Sequence, residues 1–259
     1  MKIVVCVKQV PDAAAERGFD PGGATDRASA DAVLSELDEY AVEQALRIAE
    51  TDTTAEITFL TMGPAGAREA LRKSLAMGGA RAVHVEDDRL PGTDALGTSL
   101  VLAAAVEHIG FDLVLCGMAA TDGMMGVVPA MLAERLGVPA VTHLSELQVA
   151  AGTVSGLRDG DDAGERVRAA LPAVVSVTDR SGDPRYPSFK GIVAAKKKPV
   201  DSLRLDDLGV SPEQVGHGAA GSTVVSATKR PARAKGEIVT DGGEGGVRLA
   251  AFLAARKLV

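Results

Sequence analysis

Tryptophan is absent from this sequence of 259 residues, and aromatic residues make up only 3% of it. The core must therefore consist mainly of Ala, Val and Leu, which is typical of buried parallel strands that alternate with helices. The two cysteines, Cys6 and Cys116, occur inside apolar runs and form no C-x-x-C pair. Such cysteines are usually small core residues, so we do not expect a redox-active thiol pair.

A net basic charge is also lacking, because the formal net charge is −7. This negative net charge argues against a general nucleic-acid binder, which needs a basic face to displace counterions from phosphates. The longest apolar runs are too short to cross a membrane, and the strand-like IVVCV begins directly after Met1 and Lys2, unlike a signal peptide. We therefore expect a soluble cytoplasmic protein of bacterial type.

The common catalytic motifs are missing as well. The sequence contains no G-x-S-x-G, no H-E-x-x-H, no G-x-x-x-x-G-K-[ST], and no G-x-G-x-x-G after its first strand. The four histidines are scattered along the chain without metal-ligand spacing. We therefore expect no metal site, no catalytic residues and no substrate-transforming activity in this chain alone.

What the first half does contain is a regular alternation of apolar strands and amphipathic helices. The pattern predicts strands at 2–7, 56–62, 82–85 and 112–116, and helices at 32–50, 65–77, 94–108 and 129–136. Strands separated by helices indicate βαβ units. We expect an α/β fold with three layers, in which a mostly parallel, Rossmann-like sheet has helices on both faces.

The pattern changes near residue 143. Residues 147–149, 153–157 and 166–171 resemble short antiparallel strands, a small hairpin region, before the buried strand at 172–178. From residue 200 the chain is rich in loops and ends in a predicted helix at 247–257. We therefore expect a domain at 1–199 and an extended C-terminal arm at 200–259, which lies across its own domain or reaches a partner.

Three loops at predicted strand ends are candidate ligand sites, because open parallel sheets bind ligands beyond the carboxyl ends of their strands. They are residues 6–11, 62–66 and 117–128. The third, GMAATDGMMGVV, has small residues that let a phosphate or ribose approach the backbone, and the Thr121 hydroxyl could bind a phosphate oxygen. Composition alone favours an ordinary connecting loop, whose glycines merely permit the turn, because such loops occur in many sheets.

Residues 183–199, DPRYPSFKGIVAAKKKP, form the other conspicuous segment. Its prolines interrupt regular structure, Phe189 is apolar in a polar loop, and Lys196–Lys198 make a basic run. One interpretation is a surface loop with a solvated charge cluster. The other is a docking loop, with an exposed aromatic anchor and lysines that steer an acidic partner.

The sequence around this segment resembles a known family. PAVVSVT followed by PRYPSFKGIVAAKKKP is similar to the signature of the β subunit of electron transfer flavoproteins. IVVCVKQVPD, DEYAVEQALR, TMGPAGAREALRKSLAMGGARAVHV and DLVLCGMAATDG agree in order and spacing, so the resemblance spans nearly the whole chain.

The resemblance implies an αβ heterodimer, in which the electron-carrying FAD lies mainly in the α subunit. The β subunit would hold AMP as a structural ligand, and its C-terminal arm would contact the α subunit. A loop with an apolar anchor, here Phe189, would dock acyl-CoA dehydrogenases and related flavin dehydrogenases. The complex would then carry electrons towards a membrane quinone reductase, with no nucleic acid bound and no membrane insertion.

The resemblance also implies two sets of site residues, carried over position by position. The AMP-binding set is Cys6, Lys8, Ser35, Glu36, Leu37, Asp38, Met62, Gly63, Gly117, Met118, Ala119, Ala120, Thr121, Asp122, Gly123, Met124, Met125, Gly126, Val127 and Val128. The docking set is Tyr186, Pro187, Ser188, Phe189, Lys190, Gly191, Ile192, Lys196, Lys197 and Lys198.

The sequence departs from the commoner family pattern in two places. Many members have an acidic, Gln-containing run where this chain has Met124, Met125 and Gly126, and the usual anchor is Leu instead of Phe189. The first departure leaves a second FAD in place of AMP as an alternative, as in relatives that split electron pairs. A further alternative is a stand-alone nucleotide-binding protein that resembles universal stress proteins, although such proteins need neither the docking segment nor the long tail.

Overall fold

The computed structural model describes residues 1–27, 30–236 and 238–259. Contacts divide the chain into two compact units, Met1–Ala227 and Thr228–Val259. The strands are β1 (Lys2–Cys6), β2 (Gln9–Pro11), β3 (Ala32–Leu34), β4 (Glu56–Met62), β5 (Arg81–Val85), β6 (Leu113–Gly117), β7 (Ala140–Ala150), β8 (Thr153–Asp159), β9 (Gly164–Ala170), β10 (Ala173–Val177) and β11 (Val200–Leu203). The helices are α1 (Glu36–Thr51), α2 (Arg68–Met77), α3 (Ala95–Ile109), α4 (Val128–Leu136), α5 (Phe189–Ala195) and α6 (Gly245–Ala255).

The larger unit is built on a nine-stranded sheet in the order β11-β5-β4-β1-β6-β10-β7-β8-β9. The strands from β11 to β7 pair in parallel, and only β7–β8 and β8–β9 are antiparallel. The expected mostly parallel α/β sheet is therefore confirmed. β2 and β3 form a separate antiparallel pair, which the sequence pattern does not predict.

Helices cover both faces of this sheet, which gives three layers. On one face, α1 and α2 pack on Ile3, Val5 and Phe59. On the other face, α3 and α4 pack on Val4 and Val114. The central strands β1, β6 and β10 are buried on both sides, which is why they read as continuous apolar runs in the sequence.

The start of the first helix differs from the sequence prediction of residue 32. Residues 32–34 are strand β3, and α1 begins at Glu36 with Ser35 as its N-cap residue. Glu36, Asp38 and Glu39 lie in the first turn, where carboxylates favour a helix because its dipole is positive there. The apolar spacing of residues 32–34 continues the helical pattern, but their backbone pairs with Gln9–Pro11 instead.

The second half differs from prediction in three places. β7 begins at Ala140, seven residues before the predicted strand at 147, because its first part pairs in parallel with β10. The docking segment (residues 183–199) contains helix α5 and is not loop throughout; the Oγ of Ser188 caps that helix by accepting from the Gly191 N–H. Residues 200–203, at the start of the predicted arm, are strand β11, which pairs with β5 in the main sheet.

The smaller unit, Thr228–Val259, contains helix α6. One carboxylate oxygen of Asp241 accepts the backbone N–H groups of Gly243 and Gly245 at the start of this helix, both at 2.7 Å. Its apolar side chains Val247, Leu249 and Phe252 are exposed within the chain. Among the helices that the structure describes, none combines the length and apolar character that a bilayer crossing requires.

Candidate functional site at the carboxyl ends of the strands

The three predicted strand-end loops leave adjacent strands. β4, β1 and β6 are neighbours in the sheet, and they end at Met62, Cys6 and Gly117. Because all three run in the same direction, these ends lie at one edge of the sheet. The structure therefore brings together residues that are more than 50 positions apart in the sequence. We call this region the strand-end site.

The N-terminus of α1 is fixed against two of these strand ends. The backbone N–H of Ser35 donates to the carbonyl oxygen of Lys8 at 2.9 Å, and the N–H of Lys8 donates to Oδ2 of Asp38 at 2.8 Å. Asp38 also accepts a hydrogen bond from the backbone of Gly117. The predicted residues Ser35–Asp38 consequently lie beside the ends of both β1 and β6.

Gly117 permits this close approach. A Cβ atom at Gly117 would lie 2.6 Å from the carbonyl oxygen of Leu37 and 2.7 Å from Oδ1 of Asp38. Contacts below about 3.0 Å do not occur for real side chains, so a larger residue would push α1 away from β6. The glycine here allows the backbone of a strand to touch a helix N-terminus.

Asp38 is buried and has an unusual pKa. Burial raises the pKa of this carboxyl group to about 7, although the hydrogen bond from Lys8 and its positive charge act in the opposite direction. Carboxyl groups with strongly shifted pKa values are enriched at functional sites. The strand-end site thus contains an acid that changes charge near neutral pH.

Ser35 provides a hydrogen-bonding group without a protein partner. Its side chain is fully buried, and within residues 1–27, 30–236 and 238–259 its Oγ atom has no hydrogen-bond partner. A buried hydroxyl without a partner costs free energy, about 1–3 kcal/mol. A bound ligand or an ordered water that donates to or accepts from Oγ would remove this cost.

The loop at 117–128 is held by basic side chains. The carboxylate of Asp122 is buried and contacts Nζ of Lys8 at 2.9 Å and Nη2 of Arg27 at 2.5 Å. Burial alone would raise the pKa of Asp122, but Lys8 and Arg27 lower it below its ordinary value. Nη1 of Arg17 donates to the carbonyl oxygen of Thr121 at 2.6 Å. Three cationic groups therefore converge on residues 121 and 122.

Arg17 and Arg27 are site residues that sequence reasoning missed. They lie in the connection between β2 and β3, which reads in the sequence as an ordinary loop. Their position follows from the contacts with residues 121 and 122, about 100 residues later in the chain. The available signal was the presence of two arginines in the long connection at 12–31 of an acidic protein.

The rest of the predicted AMP-binding set is distributed along the same edge. The carbonyl oxygen of Gly63 lies 2.9 Å from Nε2 of the buried His84. Met124 and Met125 are exposed, and Met124 has a positive φ of 51°. Val127 is the N-cap residue and Val128 the first residue of helix α4, which follows the 117–127 part of this loop. Thr121 takes part through its carbonyl oxygen, which accepts a hydrogen bond from Arg17.

Seven of the ten residues of the docking set are exposed, whereas Pro187, Gly191 and Lys198 are half-buried. Tyr186 is 96% exposed and Phe189, the first residue of α5, is 84% exposed. Lys196 and Lys197 also face solvent. Lys198 is half-buried, and its Nζ donates to the carbonyl oxygens of Leu75 at 2.7 Å and Gly78 at 3.3 Å. The basic run is therefore divided between two exposed lysines and one that binds the end of α2.

A separate cavity of about 430 Å³ lies at the opposite, amino-terminal edge of the sheet. It is lined by Met1, Lys2, Thr54, Glu56, Phe111 and Asp112. None of the predicted site residues contributes to it. Helices at this edge of a parallel sheet present their C-termini, so the backbone donors that bind anions lie at the strand-end site instead.

Comparison with known proteins matches most of the chain. Residues 23–208 match the electron transfer flavoprotein domain. Over 263 residues the chain is 47% identical to the electron transfer flavoprotein subunit beta of Mycobacterium tuberculosis and to that of Mycobacterium leprae, with 99% of this chain and 99% of each relative covered. It is 35% identical over 242 residues to the caffeyl-CoA reductase-Etf complex subunit CarD of Acetobacterium woodii, covering 93% of this chain and 92% of that protein.

Proposed function

The chain belongs to the electron transfer flavoprotein family as a β subunit, and from this premise we propose that it binds AMP at the strand-end site and docks flavin dehydrogenases through the docking segment. Its partner is an electron transfer flavoprotein α subunit, which holds most of the FAD. The heterodimer carries electrons from acyl-CoA dehydrogenases to a membrane quinone reductase. The chain itself transforms no substrate.

The convergence of Lys8, Arg17 and Arg27 on residues 121 and 122 is the observation that carries the AMP proposal. These residues surround a loop that precedes a helix N-terminus, and phosphates bind where cations and backbone N–H groups meet. Lys8 and Arg27 retain donors beyond those that contact Asp122, because each has several N–H groups. The nucleotide phosphate would lie against this cluster.

The nucleoside would lie nearer to the ends of β1 and β4. Cys6 and Met62 offer apolar surface for an adenine ring, and the Ser35 hydroxyl offers a hydrogen bond that the described protein leaves unused. The small residues of 117–128 allow the ligand to approach the backbone closely. AMP supplies no redox chemistry here; when bound, it fills the site and holds α1 and the 117–128 loop together.

The docking proposal rests on the exposure of Phe189 and Tyr186 in the segment that follows strand β10. Large exposed aromatic residues are uncommon on solvated surfaces and are enriched at the centres of interfaces. Lys196 and Lys197 lie just after helix α5, where positive charge would steer an acidic partner.

Nucleotide analysis of the heterodimer tests the proposed function. The chain is purified with its α subunit, the complex is denatured, and the released nucleotides are separated and quantified. We expect equal amounts of AMP and FAD. Two FAD molecules per heterodimer and no AMP would mean that this chain binds a second FAD instead of AMP. If the heterodimer releases no adenine nucleotide other than the FAD of the α subunit, nucleotide binding at the strand-end site is rejected.

Matched arginine variants localise the nucleotide. Replacing Arg17 and Arg27 together by Gln removes two cations near residues 121 and 122 and should lower the AMP content of the purified heterodimer. Arg81→Gln is the control, since Arg81 is a similarly exposed arginine at the start of β5, where it pairs with Asp201. Equal AMP content in both variants would remove Arg17 and Arg27 from the site.

A further inference from the structure

The first end of the docking segment is attached to α1 by a buried ion pair. The side chain of Glu43 is 4% exposed and accepts three hydrogen bonds from Arg185: from Nε at 2.7 Å, from Nη2 at 3.0 Å and from the backbone N–H at 3.1 Å. Burial alone would raise the pKa of Glu43, but these bonds and one from Arg47 lower it. We call Glu43, Arg47 and Arg185 the α1 anchor.

Neighbouring contacts strengthen the α1 anchor. Nη1 of Arg185 donates to Glu50 at 2.6 Å, and Nη2 of Arg47 donates to the carbonyl oxygen of Asp183 at 3.3 Å. Nε2 of Gln44 donates to the carbonyl oxygen of Ser181 at 2.7 Å. Backbone and side-chain groups at 181, 183 and 185 are therefore all bound by a single face of α1.

The second end of the docking segment is attached to α2. Nη1 of Arg72 donates to the carbonyl oxygens of Ala195 at 2.6 Å and Lys198 at 2.9 Å. Nζ of Lys198 in turn donates to the last turn of α2. We call Arg72 and Lys198 the α2 anchor. Between the α1 anchor and the α2 anchor, Gly191 packs so closely on α2 that a Cβ atom would lie 2.4 Å from the carbonyl oxygen of Ala76.

Between the two anchors, the segment exposes its apolar residues. Tyr186, Phe189, Ile192 and Val193 face solvent, whereas Ala195 is buried against α2. A helix as short as α5, with seven residues, is not stable by itself in water. Its position therefore depends on its packing against α2 and on the anchors at its two ends.

We propose that Glu43, Arg185 and Arg72 are positioning residues for docking, which hold Phe189 in the orientation that a flavin dehydrogenase binds. This proposal rests on the proposed docking function. Ordering a flexible segment upon binding costs free energy, about 0.5–1.5 kcal/mol for each immobilised side chain. A segment that the chain has already ordered avoids this cost, so the anchors strengthen docking without touching the partner.

Steady-state kinetics with the heterodimer test this role. A flavin-dependent acyl-CoA dehydrogenase, reduced by its substrate, donates electrons to increasing concentrations of wild-type or Glu43→Gln heterodimer. We expect KM for the heterodimer to rise about fivefold to tenfold in the variant, with kcat within twofold of wild type. Arg185→Lys, which keeps the charge but loses the paired geometry, should give a smaller increase.

Glu39→Gln is the matched control. Glu39 lies on the same helix and pairs with Lys73 of α2, outside both anchors. We expect it to leave KM unchanged. Arg72→Met tests the other anchor independently, so a failure of Glu43→Gln to fold leaves the proposal open to rejection. An unchanged KM for the folded anchor variants would overturn it.

Two further measurements separate positioning from general stability and from the docking function itself. Amide hydrogen exchange at residues 183–198 should become faster in Glu43→Gln; faster exchange with an unchanged KM would overturn the proposal. In a double-mutant cycle, Phe189→Ala should raise KM less in the Glu43→Gln background than in wild type. If Phe189→Ala has no effect in wild type, docking through this segment is rejected, whereas an effective Phe189→Ala with an ineffective Glu43→Gln rejects only the positioning role.

Discussion

The backbone N–H of Lys8 donates a hydrogen bond of 2.8 Å to the carboxylate of Asp38 across 30 residues of sequence. Through this bond the end of β1 and the first turn of α1 form one rigid corner of the strand-end site. Gly117 completes the corner by its own hydrogen bond to Asp38. A carboxyl group that is buried at such a corner affects both the shape and the charge of the site.

Asp38 should make stability depend on pH. Its pKa in the folded chain is about 7, raised from 3.8, so between these values the folded state binds a proton that the unfolded state has lost. The free energy of unfolding should therefore fall as pH rises through this range, by up to about 1.4 kcal/mol per pH unit from this group alone. Urea unfolding of the ligand-free chain measures this slope.

The Asp38→Asn variant is the control for this slope, because an amide does not titrate. We expect the variant to show a flatter dependence than wild type between about pH 4 and about pH 7. Parallel curves for the two proteins would mean that another group titrates in this range and that Asp38 keeps its ordinary pKa.

Ser35→Ala should separate ligand binding from stability. In the ligand-free chain, the Ser35 hydroxyl has no hydrogen-bond partner within the described residues, so its removal should not lower the free energy of unfolding. If AMP uses this hydroxyl, the variant should bind AMP about 2-fold to 12-fold more weakly, equivalent to about 0.5–1.5 kcal/mol. Titration calorimetry with AMP measures the change in affinity.

Ser99→Ala is the matched control for Ser35→Ala. Ser99 is also fully buried, but its Oγ donates to Leu96 and accepts from Arg135, both at 2.8 Å. This variant should be less stable while binding AMP with unchanged affinity. If Ser35→Ala loses stability like Ser99→Ala and keeps its AMP affinity, the hydroxyl has a structural partner and does not bind AMP.

The sequence predicts the central sheet well because β1, β6 and β10 are short apolar runs bounded by turn residues, a pattern typical of buried strands. It predicts β11 poorly, because Val200–Leu203 is a half-exposed edge strand with no apolar run. Whether residues 32–34 pair with Gln9–Pro11 or extend α1 depends on contacts with a distant segment, which local spacing does not record. The same reason hides Arg17 and Arg27, whose role depends on residues 121 and 122.

The sequence also does not reveal how the docking segment is attached to the domain. Its motif marks a special surface, but the attachment of Arg185 to Glu43 joins positions 142 residues apart. Spacing within the motif contains no information about that partner. Pairing between a buried carboxylate and a distant arginine becomes visible only once the helix that carries Glu43 has been packed on the sheet.

Phe189→Ala should weaken docking and leave the fold intact. Because the side chain is 84% exposed, its removal leaves no cavity in the core, and the unfolding temperature should not change. Affinity for an acyl-CoA dehydrogenase should fall by about 1–3 kcal/mol, as for aromatic residues at the centre of an interface. Titration of the dehydrogenase with heterodimer measures the affinity, and an unchanged value would exclude Phe189 from docking.

The three lysines at 196–198 should differ in effect although they are adjacent in sequence. Replacing the exposed Lys196 and Lys197 by Gln should slow association with a dehydrogenase and reduce its dependence on salt, since exposed charges mainly steer encounter. Lys198→Gln should instead lower the unfolding temperature, because Lys198 binds two carbonyl oxygens at the negative end of α2. Stopped-flow association at two salt concentrations and thermal unfolding distinguish the two effects. An equal reduction of the salt dependence of association in both variants would contradict the division, because Lys198 would then act as an exposed steering charge like Lys196 and Lys197.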